Sequence, residues 1–273
     1  MRKVVVSIVI SLILTSLTGC QFEPPIVEDD TTDFSEPSPT TSEEIADTTE
    51  IPTTTSAPLP SQPPSPSPWA VHTMARAISH GLIPPELQHS YTEPITRKDL
   101  VEIMVIYLEA YVQKVIGYRS LEEFINFSEY KDIYKYDDEY YTDINDYNVN
   151  LAFAVKLLPH SGHLFKPQES VKRAEAVLLF TNIYFVYGSG MKHTSEEEYN
   201  HHYADEAEII ASDNYPWGDV IDSSRFLWEW GYMRGDENDK IRPNDFITRE
   251  EAYAVICRYY EREVLSRFKK YMH

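Results

Sequence analysis

The sequence has few glycines, cysteines and basic residues. Its 273 residues include 9 Gly, 2 Cys, and 24 Lys and Arg against 44 Asp and Glu, for a formal net charge of −20. Two cysteines cannot form a disulfide framework, and so few glycines disfavour a nucleotide-binding fold that relies on glycine-rich turns. Because nucleic-acid binders need a basic surface to contact phosphates, this acidity argues against that class.

The N-terminus has the pattern of an export signal. Arg2 and Lys3 precede an apolar run over residues 4–17, which is shorter than the roughly 20 residues of a membrane-spanning helix. The run ends in Leu-Thr-Gly-Cys at residues 17–20, which resembles the lipobox of bacterial lipoproteins. The resemblance implies a signal peptide over residues 1–19 and a lipid on Cys20 that holds the chain on the extracytoplasmic side of a membrane. An ordinary secretory signal is the alternative.

Residues 20–68 have the composition of a disordered linker. From residue 21 onward this segment contains 11 of the 18 prolines and ten acidic residues, with no glycine, lysine or arginine. Proline, serine, threonine and like charge cannot bury a core. We therefore predict a spacer that separates the lipid anchor from a folded domain over residues 69–273.

The folded domain contains one short pattern three times. An apolar residue, a helix-start position, an arginine, any residue and an acid occur at residues 95–99, 171–175 and 247–251, and both intervals between the arginines are 76 residues. Each pattern predicts a helix N-terminus, with Thr96 and Thr248 as caps. A second helix is predicted upstream of each. Ser67 is expected to cap the first of these, and Gly81 to end it.

These helix pairs predict an all-α fold. Apolar residues recur at helical spacing behind each arginine, and no pair can bury its apolar face alone. Three pairs around a shared axis would. The predicted repeats span about residues 69–117, 141–187 and 203–262, and a tyrosine-rich insertion over residues 118–140 separates the first two.

The repeated pattern resembles the S-layer homology module. The third repeat carries most of that module's motifs, and the others carry parts of it: Tyr-Ala-Asp at 203–205, Trp217, the Gly-Tyr-Met-Arg-Gly turn at 231–235, Ile-Arg-Pro at 241–243, Trp69, Tyr-Thr-Asp at 141–143 and Phe-Lys-Pro at 165–167. The second repeat departs from the pattern at residues 157–159, where Leu-Leu-Pro stands in place of a glycine turn.

The resemblance implies a three-repeat spindle that binds pyruvylated secondary cell-wall polysaccharide in grooves between repeats. It assigns carboxylate recognition to the three motif arginines, sugar stacking or groove walls to the tryptophans, and hydroxyl or amide contacts to the rest: Arg97, Arg173, Arg249, Trp69, Trp217, Asp143, Asp205 and the backbone of Gly235. A guanidinium suits a planar carboxylate, and a helix N-terminus favours an anion. Two alternatives stay open: the arginines pair with acids such as Glu175 or Glu251, and the tryptophans pack in the core.

Patterns of an enzyme are weak in this chain. Two histidine groups, His201 and His202 with Asp205, and His160 with His163, lack the spacing of a zinc motif. We therefore expect no cofactor, no metal and no catalytic residue.

The sequence as a whole predicts a non-catalytic protein of the bacterial envelope. It would bind wall polysaccharide through its repeats and the membrane through the lipid on Cys20. The alternative is a degenerate form of the same fold that binds another envelope protein, and an uncharacterised enzyme is a third hypothesis.

Overall fold

A computed structural model describes most of the region predicted to fold. The described residues are 65–127, 141–159, 164–186, 201–213, 215–216 and 218–267. The signal peptide with Cys20, most of the linker, part of the insertion, Trp217 and the pair His160 and His163 lie outside them. The described residues form helices and contain no strand, so the predicted all-α fold is confirmed.

Eight α-helices occur in the described residues, and we number them in chain order. They are α1 (Val71–Ser79), α2 (Arg97–Tyr111), α3 (Leu121–Asn126), α4 (Tyr147–Ala154), α5 (Arg173–Val186), α6 (Glu206–Ala211), α7 (Val220–Glu229) and α8 (Arg249–Tyr259). Short π-helical segments, Val112–Ile116 and Tyr260–Leu265, extend α2 and α8. No helix in this part of the chain is both long and apolar enough to cross a membrane.

The motif helices begin at the predicted positions. Thr96 caps α2 by accepting the backbone N–H of Asp99, and Thr248 caps α8 in a complete capping box with Glu251. The predicted cap of α1 is wrong. Ala70 occupies the N-cap position, and no side chain caps the helix there. The chain instead bends into the helix through a backbone hydrogen bond from the Ala70 N–H to the Ser67 carbonyl.

A residue with left-handed backbone conformation follows the first helix of each repeat. Gly81 and Gly231 take φ values of 73° and 66°, which glycine adopts without a steric penalty. The second repeat makes the same turn with Lys156, at a φ of 60°. The N–H groups of residues 81, 156 and 231 all return to the carbonyl three residues earlier, so the turn does not depend on glycine here.

The most extensive helix contacts run from one repeat to the next. Helix α2 of the first repeat packs on α4 of the second, α5 of the second packs on α7 of the third, and α8 of the third packs on α1 of the first. The cycle therefore closes, and each helix covers an apolar face that its own repeat leaves open.

A triangle of backbone hydrogen bonds marks the pseudo-threefold axis. The Ile95 N–H donates to the Ile247 carbonyl (3.0 Å), Ile247 to Val171 (3.0 Å), and Val171 back to Ile95 (3.1 Å). These residues immediately precede the capping positions of α2, α5 and α8. The triangle thus fixes the N-termini of the three motif helices beside one another.

Candidate functional site

The three motif arginines form a closed ring of ion pairs across the repeats. Each guanidinium reaches the acid in the first turn of the next motif helix. The pairs and their shortest nitrogen–oxygen distances are Arg97–Glu175 (2.8 Å), Arg173–Glu251 (2.6 Å) and Arg249–Asp99 (2.6 Å). We call this set the arginine ring. The acids Glu175 and Glu251, considered above as local partners, do pair with motif arginines, but with those of the preceding repeat.

The ring arginines are largely enclosed by protein. The Arg173 side chain is 5% exposed and also donates to the Ile241 carbonyl. Arg97 also donates to the Phe165 carbonyl and to Glu169. Desolvation disfavours the charge on Arg97, but Glu175 and Glu169 outweigh it and raise the pKa of Arg97 above its ordinary value. Binding of a glycan carboxylate by these arginines stays a prediction, and in this structure each guanidinium already has a carboxylate partner.

Asp143 and Asp205 fasten equivalent turns in the second and third repeats. Asp143 accepts the backbone N–H groups of Phe165 and Lys166, both at 2.7 Å, and Asp205 accepts those of Ile241 and Arg242 at 3.0 and 2.7 Å. Desolvation opposes the charge on Asp143, but the backbone bonds prevail and keep its pKa below the ordinary value. Contacts of these aspartates with a glycan remain a prediction.

One groove brings together residues from all three repeats around Arg173. This cavity of about 380 Å³, which we call groove B, is lined by Trp69 of the first repeat, Arg173 of the second, and residues of the third that include Arg234, Gly235, Arg242 and Arg258. Trp69 is 53% exposed, so the core-packing alternative is wrong for this residue. Three of the predicted site residues therefore meet in groove B.

Gly235 allows the tight loop on one side of groove B. A Cβ atom at this position would lie 2.8 Å from the carbonyl carbon of Asp239 and from the backbone nitrogen of Lys240. Real Cβ atoms do not approach backbone so closely, which makes glycine necessary for this loop. The predicted contact of the Gly235 backbone with a glycan stays a prediction.

A second groove lies at the equivalent position around Arg97. This cavity of about 630 Å³, groove A, has a more aromatic lining that includes Tyr141, Phe165, Tyr215 and Phe246. Burial raises the pKa of both Tyr141 and Tyr215 to about 12, so both hydroxyls stay protonated at neutral pH. The Tyr141 hydroxyl donates to the Pro159 carbonyl at 2.8 Å.

Other predicted site residues lie apart from these grooves. Arg249, Asp143 and Asp205 belong to the described chain but line neither groove A nor groove B. Trp217 and Cys20 lie outside the described residues. Sequence reasoning missed several groove residues, among them Arg234 and Arg258 in groove B and Phe246 in groove A. The signal for Arg258 was its helical spacing from Glu251, because residues 251, 254, 255 and 258 lie on one face of α8 and all line groove B.

Catalytic and metal-binding features are weak in the described part of the chain. It contains no cluster of three or more His, Cys, Asp or Glu side chains that could hold a metal ion. His201 stacks on Trp228 with ring centroids 4.0 Å apart. Burial raises the pKa of Cys257 to about 12, so its thiol stays protonated at neutral pH and is a poor nucleophile.

Comparison with protein families identifies a segment that contains one wall of groove B and the third motif. Residues 231–252 match the S-layer homology domain. The match supports the interpretation of this chain as an S-layer homology domain protein. Such domains are non-catalytic modules that bind cell-wall polysaccharide at the cell surface, so the match associates this protein with the wall. Assignment of the first two repeats to the same family stays a prediction. A comparison with curated proteins finds no significant match.

Proposed function

We propose that this protein is a non-catalytic anchor of the bacterial envelope. Groove B, with groove A as its counterpart, would bind secondary cell-wall polysaccharide that carries acidic, pyruvylated sugars. A lipid on Cys20 would hold the other end of the chain to the membrane, and the acidic linker would span the distance between them. The expected glycan contacts are Arg97 in groove A, and Trp69 and the backbone of Gly235 in groove B.

The composition of groove B carries this proposal. Its lining contains four arginines against three acids, Asp236, Glu237 and Glu251, in a chain whose net charge is −20. A local excess of guanidinium suits an acidic ligand. The half-exposed ring of Trp69 supplies an apolar face of the kind on which sugars stack. Residues 233–237 of this groove also lie within the S-layer homology match.

Binding to wall polymer is tested by co-sedimentation. The full chain with Cys20→Ser, which removes the lipid site, is expected to sediment with purified bacterial sacculi and to stay in solution after the pyruvate ketals are removed by mild acid. The fraction bound is measured before and after that treatment, with re-pyruvylated or untreated material as the control. Binding that does not respond to ketal removal would contradict the pyruvylated ligand, and absence of binding by folded protein would contradict the whole proposal.

Lipid attachment has a separate test. In a bacterium supplied with an alkyne fatty acid, the wild-type chain is expected to become labelled, because the thiol of Cys20 is the predicted acceptor. Labelling should vanish in Cys20→Ser and persist in Cys257→Ser, since Cys257 is buried. Label that remains on the Cys20→Ser chain would contradict the anchor.

Protein binding is a second candidate function, and groove A is the observation that favours it. Two large apolar side chains at this groove are exposed, Leu164 by 56% and Phe246 by 50%. Exposed apolar surface of this kind is typical of interaction sites. An envelope protein that co-purifies after the wall polymer is digested, and is lost in Phe246→Ser, would support this function over glycan binding in groove A.

A further inference from the structure

Two of the four arginines in groove B already form ion pairs within the protein. Arg173 belongs to the arginine ring and donates to Glu251 at 2.6 Å. Arg242 lies 3.3 Å from Asp236 and 3.6 Å from Glu251. Both guanidinium groups therefore already face carboxylates, and a ligand would have to compete with these carboxylates for their N–H groups.

The other two arginines, Arg234 and Arg258, have no carboxylate partner within hydrogen-bonding range. In the described chain, Arg234 makes neither an ion pair nor a side-chain hydrogen bond. Arg258 makes one hydrogen bond, from Nη1 to the Tyr232 carbonyl at 2.9 Å, which holds its guanidinium beside the groove. The nearby acid Glu261 is paired with Arg76 at 3.2 Å. Of the three acids in the lining, Asp236 and Glu251 pair with Arg242 and Arg173, and Glu237 forms no ion pair with any of the four arginines. Within the described residues, Arg234 and Arg258 are therefore the two arginines of groove B that are in no ion pair.

These two charges also act on each other. Desolvation, followed by the charge of Arg234, lowers the pKa of Arg258 below its ordinary value. Two like charges lining one cavity of about 380 Å³ are unfavourable unless an anion lies between them. An anion would relieve this repulsion and gain charge-assisted hydrogen bonds from both groups.

We propose that Arg234 and Arg258 together bind the acidic substituent of the glycan in groove B, and that Arg173 has a structural role. This inference rests on the proposed function and assigns its ionic contact to residues outside the predicted set. The ligand chemistry is an oxyanion with at least two free oxygens, either a carboxylate or a phosphate on a sugar. Trp69, in the same lining, would contact the sugar ring that carries it.

The test compares two double variants of the full chain that lose the same charge. The first is Arg234→Gln with Arg258→Gln. The matched control is Arg119→Gln with Lys156→Gln, because both of these side chains are exposed and lie outside grooves A and B. The apparent affinity for sacculi is expected to fall about 100-fold in the first, at roughly tenfold per guanidinium, and by less than about twofold in the control.

A third variant separates binding from folding. Arg173→Lys is expected to lower the melting temperature but to leave the affinity of the folded fraction within about threefold of wild type. The Arg234 and Arg258 variant should show the opposite pattern, with an unchanged melting temperature. A strong loss of affinity in Arg173→Lys together with unchanged binding by the Arg234 and Arg258 variant would overturn the inference.

The chemistry of the anion is resolved by treating the sacculi. If wild-type binding falls after ketal removal, the ligand is a carboxylate; if it falls after dephosphorylation with hydrofluoric acid, the ligand is a phosphate. Binding that survives both treatments would overturn the inference. If the wild-type chain and the Arg234 and Arg258 variant bind equally well, this inference is refuted but the proposed function is not. If the wild-type chain does not bind, both the inference and the proposed function are refuted.

Discussion

Replacement of Arg173 by alanine is expected to lower the free energy of unfolding by about 3 kcal/mol. The Arg173 side chain is nearly buried and holds two partners in the third repeat, the Glu251 carboxylate and the Ile241 carbonyl. Its removal leaves both acceptors without that donor and opens the arginine ring at one of its three junctions. Equilibrium unfolding in urea, followed by far-ultraviolet circular dichroism, measures the change.

Arg119→Ala provides the control for this prediction. Arg119 is exposed, and its side chain makes no ion pair among the described residues, so its replacement should change stability by less than about 0.5 kcal/mol. An equally small loss in Arg173→Ala would show that the ion pair between the second and third repeats does not stabilise the domain.

Replacement of Tyr259 by alanine is expected to cost about 3–5 kcal/mol. Tyr259 is completely buried and contacts all three repeats. The centroid of its ring lies 3.7 Å from that of Tyr232 in the third repeat and 5.7 Å from that of Tyr107 in the first. Its hydroxyl donates to the carbonyl of Phe180 in the second repeat at 2.9 Å. Alanine would leave a cavity at the point where the repeats meet. Urea unfolding again gives the magnitude.

Tyr259→Phe divides this effect into its parts. Phenylalanine keeps the ring contacts and loses only the hydroxyl, so the expected cost is about 0.5–1.5 kcal/mol for the lost hydrogen bond to the Phe180 carbonyl. Equal costs for the phenylalanine and alanine variants would mean that packing at this position contributes little, contrary to the burial seen here.

The sequence predicted the local features of the fold well. Thr96 and Thr248 cap their helices as expected, and Gly81 follows the helix that it was expected to end. Each of these features depends on residues within one or two helical turns, which a sequence pattern contains in full. Ser67 failed as a cap because the bend before α1 is made by backbone bonding that a side-chain preference does not reveal.

The candidate site was predicted only in part. Trp69, Arg173 and Gly235, to which the resemblance assigned glycan contacts, lie in groove B, but Arg234 and Arg258 were not predicted as site residues. The neighbours of Arg258 in sequence are core residues of α8, and its proximity to Arg234 arises from the packing of α8 against the loop after α7. Whether an arginine is neutralised depends on which carboxylates the fold brings near it, and no spacing along the chain specifies that.

By itself the sequence determined three helix pairs, the capped starts of α2 and α8, the apolar faces and the equal spacing of 76 residues between the motif arginines. Only the tertiary structure decided which partner each motif takes. Every motif contains both an arginine and an acid, so pairing within a repeat and pairing between repeats have the same local chemistry. The fold selects the second arrangement because α2, α5 and α8 bury their apolar faces on the next repeat, and this packing places each arginine beside the following acid.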